Sequence, residues 1–228
     1  MPEPWQPILD IADQLQPEAR LLFLRAFNDV RASINLEQLA EAIRVGDFSR
    51  TMQILKLDPA ADVFQEVRQL FTSAFSQAGI TATQSPPGGF LLRFDMHNPY
   101  VAHAIDFHIG RQIVLIDNQT RRAVQDILQR AFREGLAPYE QARLIRDIVG
   151  LHPRWANAVD RYKEQLKADG KPSWRVEELT ARYANRLRKK RAMSIARTET
   201  ITAANMGQLE SWRQSVLAGT LPACLLYT

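Results

Sequence analysis

The chain has 228 residues, of which 46% are hydrophobic and 24% are charged, and its formal net charge is +4 at pH 7. This composition is too hydrophobic for a disordered tail and is sufficient for one large or two small globular cores. The longest apolar runs are far shorter than the ~20 residues that cross a bilayer, and the N-terminal region is acidic. We therefore expect neither a membrane span nor a secretion signal.

Charge is distributed unevenly along the chain. Residues 1–100 contain eight Lys/Arg and 12 Asp/Glu, whereas residues 101–228 contain 21 Lys/Arg and 13 Asp/Glu. An acidic part is therefore followed by a basic part. The basic part is the expected contact for an acidic partner.

Hydrophobic periodicity and proline positions predict a mainly α, bundle-like fold with at most one or two short strands. Pro17, Pro59, Pro99, Pro138 and Pro153 each precede a helix-like segment, and a proline in the first helical turn sacrifices no hydrogen bond. The predicted helices cover residues 17–31, 35–46, 47–56, 59–78, 98–114, 118–134, 138–149, 153–168, 174–190 and 191–217.

One segment interrupts this helical pattern. Residues 84–89 contain two prolines and two glycines, which exclude a helix and favour a turn or linker. Residues 90–94 then alternate in a way that predicts either a short strand or an extended segment held by its aromatic side chains. We expect an acidic helical region at 1–80, a linker with a short extended segment at 81–97, and a helical domain at 98–228.

A group of histidines and aspartates invites a metal-site hypothesis. His97, His103 and His108 lie close in sequence to Asp95 and Asp106. However, the five-residue separation of His103 and His108 places them on different faces of a helix, whereas metal-binding pairs on helices are typically four residues apart. We interpret these histidines as surface or interfacial residues and predict no metal site.

No motif of an enzyme or a cofactor site is recognisable. The glycines do not form a phosphate-binding loop or a dinucleotide turn, and a Gly-x-Ser-x-Gly elbow is absent from the sequence. The single cysteine, Cys224, cannot form an internal disulfide or a cysteine-rich zinc site. We predict no catalytic residue, no cofactor and no small-molecule substrate.

Residues 134–155 are compatible with two short helices joined at Gly150, as in a helix-turn-helix. The second helix would then present Arg154, Asn157 and Arg161 to a major groove, which is a thin set for reading bases. Its acidic residues, Asp160 and Glu164, would face phosphates unfavourably. Packing of a simple helical hairpin explains the same residues, so a DNA-binding protein is the alternative function.

The densest positive charge of the chain lies between residues 182 and 197. It consists of Arg182, Arg186, Arg188, Lys189, Lys190, Arg191 and Arg197, with no acidic residue among them. On a helix, Arg182, Arg186, Lys189 and Lys190 share one face and form a basic ridge. This ridge is either a solvated surface or a contact for double-stranded DNA or an acidic protein. It contains no recognisable set of residues for sequence-specific recognition of bases.

The segment that follows has a second regular pattern. Residues at helical spacing form one stripe: Ile195, Thr198, Ile201, Asn205, Leu209, Trp212 and Val216. Asn205 interrupts this otherwise largely apolar stripe, and Arg197 and Glu199 flank it. Because buried polar groups require hydrogen-bond partners, we predict a buried polar network of Arg197, Glu199 and Asn205 that fixes helix packing.

These residues also carry a family resemblance. Ile195-Ala-Arg-Thr-Glu199, followed six residues later by Asn205 and then by Gly207, resembles the Mu F-like phage minor head proteins. The similar order and residue character extend over about half the chain, through Phe94-Asp95, Asn98-Pro99, Asp117 to Thr120, Glu134-Gly135-Leu136 and Arg191 to Trp212. The motif residues are Arg197, Thr198, Glu199, Asn205 and Gly207.

The resemblance implies a minor capsid protein that acts in head morphogenesis without catalytic turnover. Such a protein is portal-associated inside the capsid, takes part in DNA packaging or ejection, and is present in the host cytoplasm during assembly. The implied partners are the portal protein, other capsid components and packaged double-stranded DNA. The resemblance identifies residues 98–228 as the Mu F-like domain, in which Arg182, Arg186, Arg188, Lys189, Lys190 and Arg191 are the expected DNA or portal contacts. Family members often continue beyond the segment that ends this sequence.

Overall fold

The computed structural model describes residues 5–55, 60–84, 86, 90–133 and 135–223, apart from the side chain of Phe132. Within these ranges the chain forms eight α-helices and no β-strand, which confirms the predicted all-α fold. The helices are α1 (Gln6–Ser33), α2 (Leu36–Arg44), α3 (Phe48–Ile54), α4 (Ala61–Gln84), α5 (Pro99–Arg133), α6 (Pro138–Ile148), α7 (Pro153–Ala168) and α8 (Ser173–Leu217).

Several helix starts follow the proline positions of the sequence. Helices α5, α6 and α7 begin at Pro99, Pro138 and Pro153, as predicted. The Asn98 side chain accepts a hydrogen bond from the backbone N–H of Tyr100 at 3.0 Å, and the His152 side chain caps α7. These caps satisfy backbone donors that the first helical turn leaves without a partner. The helix start predicted at Pro59 lies outside the described residues.

The predicted start of the first helix at Pro17 is wrong, because Pro17 lies inside α1. Ile8 and Ala12 are already buried before the proline, and Ala19 continues the buried face after it. Pro17 itself is exposed, as is Asp13, whose carbonyl loses its helical donor. Because water can donate a hydrogen bond to that exposed carbonyl, the helix tolerates the proline. The buried face of α1 therefore continues past Pro17.

The prediction also divided two continuous helices. Helix α5 was expected as 98–114 and 118–134, and α8 as 174–190 and 191–217. Neither junction contains a proline or glycine that would end a helix. In addition, α4 continues to Gln84, so the linker predicted at 81–97 begins inside a helix.

The segment after α4 is extended but is not a β-strand, so that alternative was wrong. The Arg93 N–H donates to Ser215 Oγ at 2.7 Å, and the Asp95 N–H donates to Gln214 Oε1 at 2.6 Å. Leu92 is buried in a cluster against which the ring of Phe90 packs. Side chains of α8 therefore supply the acceptors that a neighbouring strand would provide, and the segment is held partly by its aromatic residues.

The chain divides into two compact units, each built from separate stretches of sequence. Unit 1 comprises Met1–Phe23, Phe64–Arg111 and Met193–Thr228, and unit 2 comprises Leu24–Val63 and Gln112–Ala192. Both the region predicted at 1–80 and the domain predicted at 98–228 contribute to both units.

In unit 1, α8 presents a narrow buried face of small side chains. A Cβ atom added to Gly207 would lie 2.0 Å from the backbone oxygen of Phe75 in α4. The neighbouring buried residues on this face are Ala196, Thr200, Ala203, Ala204, Ser211 and Ser215. Small side chains allow the two helix backbones to approach closely. The predicted stripe from Ile195 to Val216 is therefore not the principal buried face, and Leu209 within it is 54% exposed.

In unit 2, helix α6 lies at the centre of the core. Leu144, Ile145 and Ile148 are almost completely buried, and α2 packs against α6. The turn after α6 contains Gly150, whose φ of 77° favours glycine. A Cβ atom at this position would also lie 2.8 Å from the Phe27 ring, so the turn packs directly on the core.

Candidate functional site

The motif residues of the family resemblance do not share one environment. Arg197, Thr198 and Asn205 are exposed, whereas Glu199 and Gly207 are buried. Residues two positions apart point to opposite sides of a helix, so burying Glu199 turns Arg197 outward. Arg197, Glu199 and Asn205 therefore do not form the buried polar network that the sequence predicted.

Glu199 is instead paired with a residue distant in sequence. Its Oε2 lies 2.7 Å from His108 Nε2, and the two side chains are only 6% and 16% exposed. The His108 ring also contacts Phe71, with 5.7 Å between the ring centroids. The pair satisfies a buried carboxylate within unit 1. No local pattern could have linked residues 91 positions apart.

The remaining members of the histidine and aspartate group have other contacts. Asp106 accepts a hydrogen bond from Arg68 at 2.7 Å, Asp95 accepts one from the His97 backbone N–H, and the ring of His103 stacks on Phe107. Across the described residues, no three His, Cys, Asp or Glu side chains are grouped to hold a metal ion.

The basic run of α8 is divided between the surface and the core. Arg188 is only 1% exposed, and its guanidinium donates to the carbonyl oxygens of Asp147 at 2.7 Å and Val149 at 3.1 Å. These carbonyls lie at the C-terminal end of α6, where backbone oxygens lack helical partners. Burial and the nearby charge of Arg31 lower the pKa of Arg188 to about 10, against the opposing effect of Asp147. Arg188 is therefore a charged structural cap at neutral pH.

Arg191 is the second buried member of the run. It is 4% exposed, donates from Nη2 to Gln119 Oε1 at 2.7 Å, and lies over the Phe27 ring at 5.4 Å. Burial lowers the pKa of Arg191 to about 10. The prediction that Arg188 and Arg191 contact DNA or a portal is corrected here, because both are used inside unit 2.

Four cations of the run remain on the surface. We call them the basic face, and they are Arg182, Arg186, Lys189 and Lys190. Arg182 is 3.4 Å from Glu178, which also pairs with Arg175 at 2.7 Å. Within the described part of the chain, neither Arg186 nor Lys189 has a carboxylate oxygen within 4.0 Å. The face therefore keeps an excess of positive charge.

Aromatic side chains of α7 and α8 support the basic face. Arg186 lies over the Tyr183 ring at 5.1 Å, and Lys190 lies over the Trp155 ring at 5.8 Å. Tyr162 and Tyr183 contact each other at 4.9 Å between centroids. Because the earlier residue on α7, Trp155, meets the later residue on α8, Lys190, the two helices are antiparallel here. These contacts favour particular directions for the cations. Trp155 and Tyr162 are both only partly buried.

The residues of the helix-turn-helix alternative lie partly on the surface and partly inside the protein. Arg154 and Arg161 are exposed on α7, whereas Asp160 is buried and forms an ion pair with Arg130. Asn157 accepts a hydrogen bond from the same arginine at 2.6 Å. Asp160 therefore does not face outward, and Asn157 has an internal partner that competes with base recognition.

The chemistry available at this surface is association with negative charge. Lysine and arginine donors bind carboxylate or phosphate oxygens without requiring a particular base sequence. No helix of the described residues is long and apolar enough to span a membrane. Comparison with known proteins found no matching family, no similar curated protein and no similar solved structure.

Proposed function

We propose that this protein is a phage minor head protein of the Mu F type that acts in head morphogenesis. It binds the portal inside the capsid and takes part in DNA packaging or ejection, without catalytic turnover. The order of residues from Phe94 to Trp212 supports this proposal through its family resemblance. The single structural observation that carries it is the basic face, because Arg186 and Lys189 have no internal acidic partner among the described residues.

Contact with a portal requires an acidic surface on that partner. Exposed ion pairs contribute about 0.2–1 kcal/mol each, so four cations act together and their contribution weakens with salt. Tyr183 and Trp155 lie beneath two of these cations and restrict their motion. The basic face thus orients the protein on its partner, while other contacts supply the remaining affinity.

Sequence-independent DNA binding is a second candidate function. The observation in its favour is that α7 adds the exposed Arg154 and Arg161 to the cations of unit 2. Phosphate contacts of this kind need no base recognition. A base-reading helix-turn-helix is less favoured, because Asn157 already accepts from Arg130.

Co-purification with the portal protein of the same phage tests the proposed function. The tagged chain is expressed with that portal, and half of each lysate is treated with nuclease before capture. Stoichiometric, nuclease-resistant association is expected. Association that disappears with nuclease supports the DNA-binding candidate instead, and no association in either sample contradicts the portal proposal.

A further inference from the structure

Unit 2 contains a cavity that the basic face does not use. It has a volume of about 550 Å³ and lies among α6, α7 and the first turns of α8. This volume falls within the range of about 300–1,000 Å³ that is usual for small-molecule sites. Its lining combines the aliphatic and aromatic surfaces of Leu144, Val176 and Trp174 with many charged groups.

Positive charge exceeds negative charge around this cavity. The lining cations are Arg31, Arg143, Arg146, Lys163, Lys167 and Lys171, and the lining acids are Glu140, Asp147, Glu177 and Glu178. The acids already have partners: Asp147 pairs with Arg31 at 3.1 Å, and Glu177 pairs with Arg143. Glu178 pairs with Arg175, and Glu140 lies 3.9 Å from Lys167.

Three lining cations are left without a carboxylate. Over the described residues, Arg146, Lys163 and Lys171 have no carboxylate oxygen within 4.0 Å. Lys163 is only 8% exposed, and burial, followed by the nearby charge of Lys167, lowers its pKa. A buried ammonium without a close counter-ion is unfavourable unless another anion reaches it.

The cavity also collects unsatisfied hydrogen-bond donors. Thr180 is 2% exposed, and its Oγ1 has no hydrogen-bond partner. The Nε atoms of Arg146 and Arg31 are likewise buried without a partner. All three residues line the cavity. Buried polar groups are normally hydrogen-bonded, so this concentration points to a ligand with several acceptor oxygens.

The start of α8 adds further donors at the same place. Ser173 lines the cavity and opens this 45-residue helix, whose first turn has no acidic residue. The backbone N–H groups of Arg175 and Val176 are bonded to Pro172, whereas those of Ser173 and Trp174 precede the helical ladder. The N-terminal end of a helix attracts anions through such N–H groups and its dipole.

We propose that this cavity binds a small phosphate-bearing molecule. Lys163, Arg146 and Thr180 contact the phosphate oxygens, and the N-terminus of α8, about 10 Å along the helix from Thr180, adds positive potential to the cavity. A guanidinium, an ammonium and a hydroxyl together match the several acceptors of a phosphate. Trp174, which is 64% exposed at the rim, offers a flat apolar surface to the rest of the ligand.

Isothermal titration calorimetry on the full chain tests this proposal with adenosine 5′-monophosphate, inorganic phosphate and adenosine. We expect the two phosphate-bearing probes to compete for one site and adenosine not to bind. Lys163→Met and Thr180→Val each weaken binding at least about tenfold, while Arg122→Met, an exposed change on α5 outside the cavity lining, leaves it unchanged.

Melting temperatures separate a ligand role from a structural one. Thr180→Val removes a buried hydroxyl that has no hydrogen-bond partner, and Lys163→Met removes a buried charge, so both variants are expected to melt at the wild-type temperature or above while binding is lost. The proposal is overturned if neither phosphate probe binds at about 1 mM, if adenosine binds as well as its monophosphate, or if both folded variants bind as wild type. None of these outcomes depends on portal binding.

Discussion

Arg188 Nη2 lies 2.7 Å from the backbone oxygen of Asp147, and this hydrogen bond takes a cation out of the middle of the basic run. The same guanidinium donates to the Val149 oxygen at 3.1 Å. One side chain thereby satisfies carbonyls at the end of α6 that lack helical donors. The basic run consequently divides into an exposed face, which we propose as the contact for an acidic partner, and a cap inside unit 2.

Loss of this cap is expected to destabilise unit 2. Arg188→Met keeps an unbranched side chain but leaves the Asp147 and Val149 carbonyls unsatisfied, so the free energy of unfolding should fall by about 2–4 kcal/mol. The matched variant Arg186→Met, on the exposed face, should change it by no more than about 0.5 kcal/mol. Urea denaturation followed by circular dichroism measures both. Equal effects would mean that the Arg188 contacts do not stabilise the fold.

Two glycine substitutions test the close approach of α8 to α4. Gly207→Ala should destabilise the protein by about 1–3 kcal/mol, because its Cβ would lie 2.0 Å from the Phe75 oxygen. Gly110→Ala lies inside α5 with no atom within 4 Å of the added Cβ, and it should stabilise by about 0.5–1 kcal/mol. Thermal unfolding of both variants should give shifts of opposite sign. A Gly207→Ala protein as stable as the wild type would contradict the close packing of α8 against α4.

The two polar positions of the motif should respond differently to leucine. Asn205 is exposed, so Asn205→Leu should change the free energy of unfolding by no more than about 0.5 kcal/mol. Glu199→Leu removes the partner of His108 from a buried site and should cost about 1–3 kcal/mol. Chemical denaturation of the pair compares them directly. A large loss for Asn205→Leu would restore the buried network that the sequence predicted.

Lys163 gives the stability of unit 2 a defined pH dependence. Its folded-state pKa is lowered by burial and then by Lys167, and Glu140, Glu164 and Asp160 oppose this shift. The charged form therefore destabilises the fold at neutral pH, and this cost is relieved as pH rises from the lowered folded-state pKa towards the ordinary value of 10.5.

Lys163→Met should accordingly be more stable than wild type at pH 7, and its advantage should shrink at higher pH. Denaturation at pH 7, 8.5 and 10 measures the difference between the two proteins. Thr180→Val is the control, since its effect should not vary with pH. An advantage of Lys163→Met that is constant or grows with pH would show that the ammonium is not destabilised in the fold.

The accuracy of sequence reasoning depended on whether a signal was local. Pro138 and Pro153 mark real helix starts because a proline acts on its own turn. The inward orientation of the Arg188 side chain could not be predicted, because its carbonyl partners lie about 40 residues away in the sequence. The buried face around Gly207 was missed for another reason. Its alanines, serines and threonines give a weak hydrophobic pattern, although their small size permits close helix packing.

The proposal that the basic face binds a partner is tested most directly by charge reversal in assembled phage heads. The face variant carries Arg186→Glu, Lys189→Glu and Lys190→Glu. The matched control carries Arg20→Glu, Arg50→Glu and Arg122→Glu, which make the same charge change at exposed positions on α1, α3 and α5. Both variants are first checked for wild-type melting temperatures, because none of the six side chains is buried.

Quantitative mass spectrometry then measures the copies of each variant in purified heads, before and after DNA packaging. The face variant should be depleted at least about tenfold from both kinds of head, while the control is incorporated at the wild-type level. Depletion only from DNA-filled heads would assign the basic face to DNA. Wild-type incorporation of the face variant in both kinds of head would contradict the proposed role of the face.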